Sequence, residues 1–175
     1  IMDKENAPIK KTALNSGLII GGLLLIIVAG MYATGALIEG VQWPMYIYYL
    51  LYPLLIGYTV HSYRKANGGF LTLGQALKVG VTAAVIGGII YAVYNIIFVT
   101  FIEPDFIAQM MEVTREKLFE NPNMTEEQAD MTMGFVEKMS NPYLGGAFFI
   151  VLSAFFGFIY SLISGLIFKR ERPLH

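Results

Sequence analysis

The sequence predicts an all-α fold: a polytopic membrane protein of four transmembrane helices, with an extracytoplasmic amphipathic helical pair between helices three and four. Three observations lead there. Four apolar blocks, Leu14–Ile38, Trp43–Tyr63, Leu73–Ile102 and Tyr143–Phe168, reach the length needed to span a bilayer. An α-helix rising about 1.5 Å per residue needs about 20 apolar residues to cross roughly 30 Å of hydrocarbon. Only 14% of the 175 residues are charged, where a soluble domain carries about 25%, and the mean hydropathy is +0.57. The charges are also segregated by sign along the chain.

That segregation predicts an orientation. Lys4, Lys10, Lys11, Arg64, Lys65, Lys78, Lys169, Arg170 and Arg172 are nine of the twelve basic residues. They flank the blocks on one side; Glu39 and the stretch 103–142 lie on the other and hold ten of the thirteen acids. Basic residues are retained in the cytoplasm during insertion, so both termini are expected there. The chain then divides into a cytoplasmic tail (1–13), three helices (14–102), an acidic Met-rich outer segment (103–142), a fourth helix (143–168) and a basic tail (169–175).

Lys10-Lys11 ahead of the first block and Ala33-Thr34-Gly35 at its end are the cues of a cleaved leader. The block runs for 25 residues, longer than the roughly 7–15 apolar residues of a leader's core, and is read as a retained span. Met2 is the candidate native start, with Ile1 an added residue. There is no cysteine, which excludes disulfides, thiolate metal sites and a cysteine nucleophile.

Along the first helix Ala13, just ahead of the block, Gly17 and Gly21 recur every four residues. Trp43, Tyr46, Tyr48, Tyr49 and Tyr52 crowd the outer end of the second, where amphipathic rings favour the headgroup layer. A pocket stacking a lipid or ligand is the alternative. Pro53 deprives that helix of a backbone hydrogen bond. The third carries Ala76, Gly80, Ala84, Gly88 and Ala92, and the fourth Ser153, Gly157, Ser161 and Gly165, again at intervals of four. Small side chains let backbones approach closely, a main source of helix association in lipid. These two stripes are expected to pack on each other, with a subunit interface as the alternative. Asn95, with Tyr91 beside it, is the candidate polar site, read first as an interhelical hydrogen-bonding contact. The serines of the fourth helix can bond their own i−4 carbonyls, so they do not demand a substrate.

The outer segment reads as two helices. Pro104 suits a first helical position, followed by Phe106, Ile107, Met110, Met111 and Leu118 along one face. Asn121-Pro122-Asn123 interrupts, and Thr125 with Gln128 has capping-box spacing. Met131, Phe135, Val136 and Met139 form the second apolar face, closed by Asn141-Pro142. Helices this short need a surface to pack on, so Phe106, Met110, Met111, Leu118, Met131 and Phe135 are the candidate partner contacts. Six of the nine methionines lie here. Thioethers bind Cu(I), but these follow the apolar faces with no His or Cys beside them, so no metal and no cofactor is expected.

The run Tyr63-Arg64 through Asn67-Gly68-Gly69-Phe70-Leu71-Thr72-Leu73-Gly74-Gln75-Ala76-Leu77-Lys78-Val79-Gly80, then Asn95, Ile102-Glu103-Pro104-Asp105-Phe106, the Met-rich acidic segment and a Gly/Ser-rich last helix resembles the domain of unknown function 4199 family. These are small four-helix inner-membrane proteins of Bacteroidota. The resemblance covers nearly the whole chain. It implies an inner-membrane location and four spans, and it implies no activity or catalytic residues.

The residues give no enzymatic chemistry. There is no His-Glu-x-x-His and no phosphate-binding glycine loop, and His61 and His175 lie at cytoplasmic edges. Ionisable residues are absent from the middle of the blocks, where transporters usually carry them. The expectation is a non-enzymatic inner-membrane protein, an accessory or scaffold subunit of a larger complex. A small channel or transporter formed by oligomerisation is the alternative. The expected partners are the bilayer and other membrane proteins or further copies of the chain, not nucleic acid.

Overall fold

The computed structural model describes residues 8–172. Lys4, His175 and the Ile1-Met2 start lie outside the described residues. Six α-helices form within them: α1 (Ile9–Ala33), α2 (Trp43–Ala66), α3 (Leu73–Ile97), α4 (Phe106–Phe119), α5 (Glu126–Met139) and α6 (Pro142–Phe168). A π-helical turn, Phe98–Ile102, prolongs α3.

The four long helices run up, down, up and down. Gly17 sits against Ile86 and Gly21 against Ile90, so α1 and α3 point the same way. Gly165 meets Ala76, Gly157 meets Ala84 and Ser153 meets Gly88, so α6 runs antiparallel to α3. The Tyr52 hydroxyl donates to the Ser153 carbonyl, Gly57 faces Ser164, and the His61 ring lies 5.2 Å from Phe168, so α2 runs with α6. α3 is the central helix, clasped by α1 on one face and α6 on the other.

The sides of α6 are inverted relative to a soluble protein. The buried positions of α6 are Gly146, Ser153, Gly157, Ser161, Ser164 and Gly165, without one large apolar side chain. Val151, Phe155, Leu166 and Ile167 face outward instead. In water such a helix would lose its hydrophobic drive for packing. In lipid, where large apolar groups gain nothing by leaving the solvent, small residues at the contact are the stable choice.

Among the described residues three helices, not the four expected, are long and apolar enough on their own to cross a membrane: Ile9–Ala33, Leu73–Ile102 and Pro142–Phe168. The exception is α2, whose six tyrosines, with His61, Arg64 and Lys65, dilute its apolarity. The first helix also begins and ends about a turn earlier than the block Leu14–Ile38. Lys10 and Lys11 enter its first turn, and residues 34–40 form turns in which Gly35 and Gly40 take φ of 77° and 66°.

The connections are closed by side chains the sequence makes available. Gly68 and Gly69 adopt φ of 69° and 84° after α2, a conformation that only glycine enters without cost. Thr72 and Gln75 form a reciprocal capping box that opens α3. Leu71 and Arg170 exchange both backbone hydrogen bonds, at 2.8 and 2.9 Å, which ties this turn to the end of α6. Arg170 and Arg172 lie over the Phe70 ring. The bases flanking α1, α2 and α6 therefore gather at one end of the bundle.

At the other end, α4 and α5 form a hairpin. α4 starts at Phe106 rather than at Pro104, which lies in the preceding turn. α5 has the Thr125–Gln128 capping box that its spacing predicts. Asn141, expected to close α5, instead caps α6, its side chain accepting from the Tyr143 and Leu144 amides.

Candidate functional site

The polar positions singled out in the sequence converge beneath the hairpin. α3 brings Tyr91 and Asn95, one turn apart, to the level where α6 begins. The π-helical turn widens the chain there by one residue per turn and carries Phe98 into an aromatic junction. Around Phe98 stand Tyr32 at 4.9 Å edge-on, Tyr94 at 5.7 Å and Phe106 at 5.3 Å edge-on. The Tyr32 hydroxyl donates to Glu103 at 2.6 Å, the length of a charge-assisted bond, and anchors the end of α1 to the start of the outer segment. Lys117 of α4 donates to the Glu39 carbonyl, joining the hairpin to the first outer loop.

These anchors leave a cavity of about 410 Å³ between the hairpin, α3 and the first turns of α6. Its walls include Asn95, Tyr91, Met110, Phe135 and Phe149, with Tyr91 and Phe149 4.5 Å apart. The half-buried Asn95 amide makes no hydrogen bond to a described protein group, so it is not the interhelical contact expected of it. It is an amide on the wall of a mostly apolar space. Among the described residues no three His, Cys, Asp or Glu side chains come together as a metal site would require.

The small-residue positions all lie at helix contacts. Ala76, Gly80, Ala84, Gly88 and Ala92 are buried along α3, and Ser153, Gly157, Ser161 and Gly165 along α6. A Cβ built on Gly165 would lie 2.8 Å from that of Ala76, closer than real Cβ atoms approach. The Ser161 hydroxyl does not bond its i−4 carbonyl; it is buried against Gly80 with no hydrogen-bond partner.

The six candidate partner contacts separate. Phe106 is buried at 7% exposure against Phe98 and is not available to a partner, because the chain enters α4 directly over the π-helical turn. Met110, Met111 and Leu118 are half-buried. Met131, at 73%, and Phe135, at 56%, stand exposed on α5.

A second cavity, about 490 Å³, lies at the α2 aromatic cluster, where a pocket was the alternative to an interfacial belt. It lies between α2 and α6 and is lined by tyrosines from both. The five aromatics at the outer end of α2 divide: Trp43, Tyr46 and Tyr49 face outward, and Tyr48 and Tyr52 turn inward at 6% exposure each. The signal for this was the spacing of Tyr48 and Tyr52, four apart and so on one helical face, together with Tyr160 in a helix otherwise rich in phenylalanine.

No curated protein and no solved structure matches the chain. The model of the family described as "Protein of unknown function (DUF4199)" matches residues 15–170, from the second turn of α1 to the residue that pairs with Leu71, and the chain belongs to that family.

Proposed function

We propose that this is a four-span protein of the bacterial inner membrane, with both termini cytoplasmic, serving as a non-enzymatic accessory or scaffold subunit of a larger membrane assembly. Support for the fourth span comes from α2 itself. Its 24 residues extend for about 36 Å, and it contacts α6 at three successive depths, from Tyr52 to His61. A helix held in register with a spanning neighbour crosses the same layer. Support for the orientation comes from the bases collected at the end opposite the acidic hairpin, which the retention of Lys and Arg places inside.

The observation that carries the scaffold reading is the exposed apolar edge of α5 at Met131 and Phe135, on a hairpin outside the hydrocarbon. Adaptable thioethers and aromatic rings are favoured at protein contacts. The small-residue stripes, by contrast, are used within the chain and leave the hairpin as the surface for a partner. A conduction role would need several copies, because Ala84 against Gly157 and Gly80 against Ser161 close the middle of the bundle.

The test is purification from native membranes in mild detergent, followed by mass spectrometry. The reading expects co-purifying membrane proteins that are lost on Met131→Glu/Phe135→Glu. Recovery of the unaltered chain only as a lone monomer contradicts it.

A further inference from the structure

On the four-span reading proposed above, the cavity between α2 and α6 lies at hydrocarbon depth. Tyr52 stands nine residues from the start of α2 and fourteen from its end, or about 14 and 21 Å along the axis. The headgroup layer that accommodates interfacial tyrosines is too far away to solvate the Tyr52 phenol, whereas Tyr48, one turn nearer the start of α2, lies closer to it. Nevertheless four tyrosines, Tyr48, Tyr49, Tyr52 and Tyr160, line the space. Tyr52 spends its proton on the Ser153 carbonyl at 2.8 Å. The hydroxyls of Tyr48 and Tyr160 have no protein acceptor among the described residues. The Tyr48 ring is buried and that of Tyr160 half-buried, neither hydroxyl is fully enclosed by protein, and a polar group left unpaired in an apolar medium is destabilising.

The walls are aromatic: Tyr48 and Tyr52 lie 5.5 Å apart and tilted by 40°, Tyr52 and Tyr160 meet edge-on at 5.9 Å, and Phe156 stacks on Tyr160 at 6.3 Å with 22° between planes, which makes that pair the flat face. Tyr49 and Phe156 are also exposed on the outer side of the bundle, at 59% and 43%, so the space opens sideways to the lipid. An occupant must come from the bilayer, present a planar ring to aromatic walls, and bring hydrogen-bond acceptors for phenolic donors.

We propose that this groove binds a membrane-dissolved quinone, its ring between α2 and α6 and its carbonyl oxygens accepting from Tyr48 and Tyr160. An acyl chain would fill the volume but leave both hydroxyls unpaired.

The test uses the full chain in phospholipid nanodiscs and a photoreactive azidobenzoquinone with a decyl tail, with labelled peptides mapped by mass spectrometry. Labelling is expected at 48–52 and 149–160, displaced by unmodified decylbenzoquinone and not by hexadecanol. In Tyr48→Phe/Tyr160→Phe, half-displacement should need about tenfold more quinone, the scale of one to two lost hydrogen bonds. Labelling spread evenly over the lipid-facing sides of α1 and α3, or displacement by hexadecanol as readily as by quinone, overturns the proposal. So does a folded double variant with unchanged displacement. The competition pattern of the unaltered chain decides the matter even where the variant does not fold.

Discussion

The hydroxyl of Tyr52 donates to the backbone carbonyl of Ser153 across 101 residues, at 2.8 Å and out of contact with the surroundings. The bond joins the least apolar long helix to one of the most apolar, and it sets the depth at which α2 stands. Interhelical hydrogen bonds in membranes contribute about 0.6–2 kcal/mol. Tyr52→Phe, which keeps the ring and removes the donor, should therefore lower the stability of the detergent-solubilised protein by about 1 kcal/mol. Thermal unfolding followed by circular dichroism measures this; an unchanged midpoint means that the bond does not hold α2 in place.

The contact of Gly157 with Ala84 leaves no room for a methyl group. Gly157→Ala forces α3 and α6 apart, and overpacking of this kind costs about 1–3 kcal/mol. The gain in helix propensity, about 1 kcal/mol, offsets only part of it. Gly22 has nothing within 4 Å of a built Cβ, so Gly22→Ala is expected to be neutral or slightly stabilising. Comparing the two in one melting series separates helix packing from the helix preference of alanine.

Thr125 and Gln128 cap α5 reciprocally, at 3.2 Å for Gln128 N to the Thr125 hydroxyl and 3.0 Å for Thr125 N to the Gln128 side chain. Removing the hydroxyl with Thr125→Ala costs about 1 kcal/mol at such positions. Because α5 is short and exposed, the effect should be local. Hydrogen exchange in residues 126–139 should rise about fivefold, the factor that corresponds to such a loss, with α1, α3 and α6 unaffected. Equal acceleration throughout would mean that the hairpin folds as one unit with the bundle.

Long apolar runs made α1, α3 and α6 legible in the sequence, because length and composition alone determine whether a helix suits hydrocarbon. The small-residue spacing located the α3–α6 contact for the same reason: only Gly, Ala and Ser permit that approach. It did not indicate that α3 is gripped on two faces. There the pattern is mixed, with Gly17 and Gly21 of α1 receiving Ile86 and Ile90, and Gly87 of α3 receiving Ile20. The second block was harder, since tyrosine serves equally in an interfacial belt and in a buried wall, and only the partner helix decides between them. Phe106 was misplaced because amphipathicity within α4 says nothing of the Phe98 ring that covers it from the preceding turn. The cavity beneath the hairpin could not be read from spacing, as it arises from helices that approach without meeting.

The central claim is that α2 crosses the membrane, and the native absence of cysteine makes it directly measurable. Gln42 and Lys65, both exposed, flank α2 at its two ends. In intact cells treated with a membrane-impermeant maleimide, Gln42→Cys should label, while Lys65→Cys should label only after the membrane is opened. Labelling of both in intact cells, or of neither, would put the two ends of α2 on one side and contradict the four-span account.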